Sequence, residues 1–277
     1  DDILYIPYDN KIAKNDNGTW TIVALKLPEH FQITAICEMG NNIAVAMSPL
    51  AGAATGKSYV YLWDRDISVT TLSESFPWED GEIRVLEIVD GYLVGISLSG
   101  DGTTRFNNRI IFRYLAGNEQ FGFRAEKLFE ITSSTAGTTN LSRAKQMIEG
   151  RLHFMMSVFV NRYTPTAANS NRVGVWSLGR VGDRFVLSHE RTLNNDSAVT
   201  INALYDFIYI GDYLFQAFND GGTYTITKTD DQEDYTHTAL WQSEISNAGD
   251  SSLIKDLIGV SVMTDPLLDT GNAIIRV

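Results

Sequence analysis

Apolar residues along this chain fall in short runs, continuous or alternating, and nearly every run ends in Gly, Asn or Asp. Short runs bounded by turn residues predict strands and tight turns rather than helices. The one stretch with helical texture, residues 141–148, is cut off by Glu149-Gly150. Four turns recur with the same surroundings: Met39-Gly40-Asn41-Asn42, Asp90-Gly91, Glu149-Gly150 and Gly211-Asp212. Each joins two apolar runs, 33–37 to 43–47, 85–89 to 92–97, 145–148 to 151–157, and 207–210 to 213–218. Two-residue hairpins need positive φ, which Gly, Asn and Asp reach at least cost.

The turn glycines are 51, 59 and 61 residues apart, so the chain is built from a repeated unit. A second register agrees with the first. Each hairpin is followed by a run rich in aromatic or β-branched residues: 58–64, 109–114, 172–177 and 223–227. A fourth run follows at 69–72, 121–131, 184–193 and 237–241. Four strands in a unit of about 50 to 60 residues is the arithmetic of a propeller blade. At the amino end, 3–8 and 19–27 read as a third and a fourth strand. At the carboxyl end, 257–263 and 273–277 read as a first and a second. The fold class expected is therefore all-β, a β-propeller of about five four-stranded antiparallel blades, the last shared between the two termini. Residues 1–277 form one domain on this reading, with units at 31–72, 83–131, 143–193, 206–242, and 257–277 plus 1–27. Pairing the termini leaves no free sheet edge between them.

The third strand Tyr59-Val60-Tyr61-Leu62-Trp63-Asp64 is the clearest of its kind, and with the repeated units it resembles β-propeller proteins over nearly the whole chain. The resemblance is one of architecture. Trp63-Asp64 looks like the signature of WD40 repeats, but it occurs once and lacks the upstream Gly-His pair. The Asn-, Thr- and Gly-rich loops and His-poor strands are also similar to propeller-type structural proteins of phage particles. The longest connections, 49–57, 99–108 and 163–171, fall between second and third strands and read as surface loops on one face.

Composition narrows the partners. The formal net charge is −12, which opposes a nucleic-acid footprint and binding to anionic lipid. No apolar run reaches the roughly 20 residues of a membrane-spanning helix, so no membrane insertion is expected. The single cysteine, Cys37, excludes an internal disulfide and lies in an apolar run as a small buried side chain.

Motifs that carry chemistry are weak. Residues 51–58 approach a phosphate-binding loop, but Ala51 replaces its first Gly and a strand follows where a helix N-terminus is needed. Residues 95–100 approach a nucleophile elbow with the last Gly one place late. His30, His153, His189 and His237 show no metal-ligand spacing. A Ser-His-Asp set assembled from distant residues stays open. Acidic turns at 15–17, 219–221 and 230–234 lack the spaced oxygen order of a Ca²⁺ loop. No cofactor or metal is expected. Trp63 and Trp176 occupy matching third-strand positions and are expected between blades.

Five-bladed propellers include glycosidases with paired acids on the innermost strands, about 5–10 Å apart. Here those strands or their ends carry Glu38, Glu87, Gln146 and Tyr209. The sequence thus supports a non-catalytic binding or assembly scaffold that presents loops to a protein or glycan partner, within a multi-subunit assembly such as a virion. The alternative is a glycan-active hydrolase with Glu38 and Glu87 as catalytic carboxylates.

Overall fold

The turn chemistry read from the sequence is realised in the backbone. In the computed structural model, Asp90-Gly91 and Glu149-Gly150 both hold left-handed conformations, φ 49° and 81° in the first and 50° and 77° in the second. This mirror-image turn matches the twist of the strands that it joins. The structure describes residues 3–50, 57–68, 75–99, 109–118, 122–132, 140–159, 171–193, 201–211, 213–220 and 222–230. All of them lie in one compact unit, Asp1–Asp234.

Among the described residues, eighteen strands form five antiparallel meanders that follow one another in chain order. The first sheet is β1 (Ile3–Tyr8), β2 (Lys11–Asp16) and β3 (Thr19–Lys26). The second is β4 (Phe31–Met39), β5 (Asn42–Pro49), β6 (Lys57–Trp63) and β7 (Ser75–Asp80). The third is β8 (Glu82–Val89), β9 (Tyr92–Ser99), β10 (Arg109–Asn118) and β11 (Gly122–Thr132). The fourth is β12 (Asn140–Ile148), β13 (Arg151–Phe159), β14 (Asn171–Val181) and β15 (Arg184–Thr192). The fifth is β16 (Ile201–Ile210), β17 (Tyr213–Asp220) and β18 (Thr223–Asp230). These are the blades of a five-bladed β-propeller. The first strands β4, β8, β12 and β16 stand next to one another, β4 beside β8, β8 beside β12 and β12 beside β16, and so form the inner wall.

The cores lie between sheets. Ile12, Leu25, Leu27, Val45 and Trp63 fill the first seam. Ala46, Val60, Trp78, Leu86 and Leu93 fill the second. Val94, Ile96, Phe112, Leu152 and Phe154 fill the third, and Met155, Val175, Phe207, Leu214 and Phe218 the fourth. A middle blade packs on both faces, so its second strand is apolar on both faces too. Residues Ile43–Met47 of β5 and Leu93–Leu98 of β9 are buried without alternation. That explains runs that are continuous where an exposed sheet would alternate.

Three readings of the sequence change. The amino end carries three strands, not two, because Lys11–Asp16 turns back as β2 on Asp9-Asn10 and pairs with both β1 and β3. Lysines and Asp interrupt its apolar positions and hid it. The edge strand of the second sheet is Ser75–Asp80, while the run 69–72 lies outside the described residues. Pro77 falls in that strand, where an edge tolerates a missing donor. The helix-like stretch 141–148 is strand throughout, β12, with an irregular register between Leu141 and Lys145. The runs 237–241, 257–263 and 273–277, and with them the blade shared between the termini, lie outside the described residues.

Candidate functional site

On the inner wall, residues of three blades meet at one lysine. Lys145 on β12 reaches the carboxylate of Glu87 on β8, Nζ to Oε2 2.8 Å. The same ammonium donates to the carbonyls of Ile36 on β4 at 3.0 Å and Leu86 on β8 at 2.5 Å. The other Glu87 oxygen, Oε1, accepts from the Ile88 amide at 3.0 Å and from the Cys37 thiol at 3.2 Å. An ammonium has three donors, and all three are spent here. Farther along β12, Gln146 Oε1 accepts the Tyr209 amide of β16 at 3.1 Å, which carries the inner-wall bonding into the fifth blade.

The electrostatics follow from those contacts. Burial pushes the Cys37 thiol up to about 12, with the neighbouring Glu87 charge acting in the same direction. A thiol held protonated is no nucleophile. Burial works to raise the Glu87 carboxyl, but the hydrogen bond and charge of Lys145 outweigh it and hold Glu87 below the usual carboxylate range. Glu87 is thus an ionised acceptor with its oxygens occupied. It is not poised as a proton donor at neutral pH.

Glu38, the second acid on the inner strands, has a different partner. Its carboxylate pairs with Arg65 at 2.5 Å, next to the turn that follows β6, and its side chain is 75% exposed. It directly follows Cys37 on β4, so it points to the opposite side from the Glu87 contact. The two carboxylates therefore serve two separate ion pairs.

The remaining sequence candidates resolve into structure. Ser177 and His153 are register partners on β14 and β13, yet the Ser177 hydroxyl donates to Glu190 and accepts from Arg151 Nε at 2.9 Å. Ser177 is fully buried, and burial lowers the basicity of His153, whose ring packs on Tyr209. In the turn 15–17 the Asn15 side chain accepts the Gly18 amide at 2.8 Å, and Asp16 pairs with Lys14 at 3.0 Å. Asn219 likewise accepts the Gly222 amide at 2.9 Å. These oxygens stabilise turns. Among the described residues no three His, Cys, Asp or Glu side chains converge as metal ligands. Trp63 is buried in the first seam and Trp176 packs beside the third, as their matched positions implied. Residues 51–56 and 100 of the two glycine motifs, His237 and residues 231–234 lie outside the described residues, while Gly95 is a strand residue packed on Trp78.

Sequence reasoning missed a second cluster, at the start of the inner strands. Glu82 Oε2 pairs with Arg84 at 3.1 Å and Glu82 Oε1 with Arg143 at 2.6 Å. Arg84 also donates to the Leu141 carbonyl across the third seam at 2.6 Å. Burial acts to raise the Glu82 carboxyl, but the two guanidinium groups outweigh it and hold it low. The residues become neighbours only because β8 and β12 each bulge near their starts, a backbone event with no sequence signature of its own.

No family model matches the chain, and no curated protein matches it. Solved structures that it is similar to include the subtype N10 neuraminidase-like protein of A/little yellow-shouldered bat/Guatemala, at 12% identity and TM-score 0.38, covering 67% of this chain and 50% of that one. An endo-arabinase from Bacteroides thetaiotaomicron aligns at 14% identity and TM-score 0.36 over 84% of this chain and 90% of its own. A xylan beta-1,4-xylosidase from Bacillus halodurans aligns at 9% identity and TM-score 0.38 over 82% of this chain and 50% of its own. The chain thus spans about half of the neuraminidase-like protein and of the xylosidase. At these scores the likeness assigns no activity, and the propeller rests on the strand pairing described above.

Proposed function

We propose that this propeller is a non-catalytic binding scaffold, which offers one face of its ring to a protein or glycan partner within a larger assembly. The observation that carries this reading is the Lys145 junction. Its ammonium is fully used by Glu87, Ile36 and Leu86, and the nearby thiol is held protonated. An inner wall of mutually satisfied groups suits a rigid ring, whereas acid–base catalysis needs a group free to exchange a proton with substrate. Topology selects the face. In a four-stranded meander the second strand ends and the third begins where the inner strand begins, so those strand ends and the Glu82 cluster share one face.

The test is turnover. Purified protein is incubated with a panel of aryl glycosides and with arabinan and xylan, beside Glu87→Gln and Glu38→Gln. The scaffold reading expects no hydrolysis by any of the three. Hydrolysis by the parent chain that disappears in a folded Glu87→Gln or Glu38→Gln variant establishes the glycosidase reading instead.

A further inference from the structure

We propose that the seam between the fourth and fifth blades binds a water molecule as a fixed part of its structure, held by the side chains of Gln216 and Thr227. Gln216 lies on β17 between Leu214 and Phe218, both of which pack into that seam. Side chains two apart on a strand share a face, so the Gln216 side chain points into the seam as well. Its register partner on β16 is Phe207, another residue of the same apolar cluster. Gln216 is fully buried there, and neither its Oε1 nor its Nε2 has a partner in the protein. An amide taken out of water without a partner is costly, and nearly all buried polar side chains find one, in the protein or in an ordered water.

The neighbouring strand supplies the second ligand. Thr227 of β18 is the register partner of Gln216 on its other side. The two side chains therefore rise from the same face, with Cβ atoms about 4.5–5.5 Å apart. The alternation of β18 agrees. Tyr224 and Ile226 are 78% and 76% exposed on the far face, whereas Thr225 and Thr227 are half-buried on the seam side. The Thr227 Oγ1 is itself buried and has no partner. Two adjacent polar groups are thus shielded from solvent without bonding to each other. A threonine hydroxyl sits one bond beyond its Cβ, and a glutamine amide reaches three. The amide therefore stands higher over the sheet than the hydroxyl, and a small molecule that both donates and accepts bridges the step. The flanking residues Phe207, Leu214 and Phe218 bring no charge, which disfavours an ion. Water accepts from Nε2 and donates to Oγ1 or Oε1, and so has the two or more polar partners that a buried water needs.

The experiment has two arms, both on the whole chain. A high-resolution crystal structure is expected to show a water within hydrogen-bond distance of Gln216 and Thr227. A dry amide, or a direct Gln216–Thr227 hydrogen bond with no water, overturns the proposal. Urea unfolding of variants supplies the second arm. Gln216→Met keeps the length of the side chain and removes the amide, and Thr227→Val keeps the shape and removes the hydroxyl. Each single change leaves the water and the remaining polar group short of a partner, and is expected to lower the folded-to-unfolded ratio about 5- to 30-fold. The double variant leaves no polar group to satisfy, so its loss should be clearly smaller than the product of the two. A Gln216→Met variant that raises the ratio, or effects that simply multiply, shows an amide with no bound water and overturns the proposal. The crystal structure of the parent chain decides the matter by itself if a variant does not fold.

Discussion

Replacing Lys145 by Met removes the ammonium and keeps most of the stem, so the variant isolates the junction's polar contribution. Three acceptors lose their donor at once: Glu87 Oε2 and the carbonyls of Ile36 and Leu86. Breaking a fully buried ion pair costs about 3–5 kcal/mol, because the remaining charge is left without compensation. Lys145 and Glu87 are 26% and 22% exposed, so water screens part of that loss. Exposed pairs mark the lower limit at about 0–1 kcal/mol. An intermediate value of about 2–3 kcal/mol follows, which at about 2–4 °C per kcal/mol for a chain of this size lowers Tm by about 4–12 °C. Urea unfolding followed by tryptophan fluorescence reads it through the buried Trp63 and Trp78.

The pH dependence has a definite sign. The folded-state pKa of Glu87 is depressed below the ordinary glutamate value of 4.5. A depressed carboxyl contributes stability that is present above the unfolded pKa and is lost as pH falls through the folded one. The penalty of Lys145→Met should therefore be full at pH 7, begin to shrink as pH falls below about 4.5, and vanish only below the depressed folded-state pKa, where Glu87 is neutral in both proteins. Glu87→Gln alone should cost less, and the double variant should fall short of the summed losses by about 1 kcal/mol or more. A penalty under about 0.5 kcal/mol, or one that does not change with pH, would refute the reasoning.

Three further outcomes are expected. Cys37, with its thiol near 12, should resist Ellman's reagent at pH 8 in the folded protein and react fully in urea, and rapid modification of the folded chain would contradict the buried contact with Glu87. Gly95→Ala should destabilise by about 1–3 kcal/mol, because a Cβ there would lie 2.6 Å from Trp78 Cζ2 in the second seam, and an unchanged urea midpoint would contradict that packing. Glu82→Gln should weaken the seam between the third and fourth blades by about 1–2 kcal/mol at pH 7, with the difference fading as acid neutralises the depressed Glu82 carboxyl; an unchanged urea midpoint at pH 7 would count against it.

What the sequence displays and what it conceals divide along a physical line. The hairpins were legible because a tight turn imposes a local demand on φ, and only a few residue types meet it. Asp90-Gly91 and Glu149-Gly150 announce themselves for that reason. The third strands were legible because Trp63 and Trp176 repeat a packing role. β2 was not, since its polar residues Lys11, Lys14, Asn15 and Asp16 obscure the buried pair Ile12 and Ala13. Of the two acids singled out on the inner strands, the sequence placed both near the wall but could not supply their partners. Lys145 lies 58 residues from Glu87, and no periodicity marks it.

The bulges explain why the chemistry was harder to see than the fold. Each of β4, β8, β12 and β16 shifts register near its beginning, at Ile33/Ala35, Ile83/Val85, Leu141/Lys145 and Ile201/Ala203 with Leu204/Asp206. The repeat therefore includes a repeated break in the ladder, and a bulge re-aims the side chain it extrudes. In the second blade that residue is Thr34, which turns inward to the Ser48 hydroxyl at 3.1 Å. In the third it is Arg84, in the fourth the break holds Ser142, Arg143 and Ala144, and in the fifth the second of two breaks holds Tyr205. A repeat fixes the position, while the residue type at that position varies from blade to blade. The inner strands hold the ring together through their regular halves, and their bulged halves are where this chain differs from blade to blade.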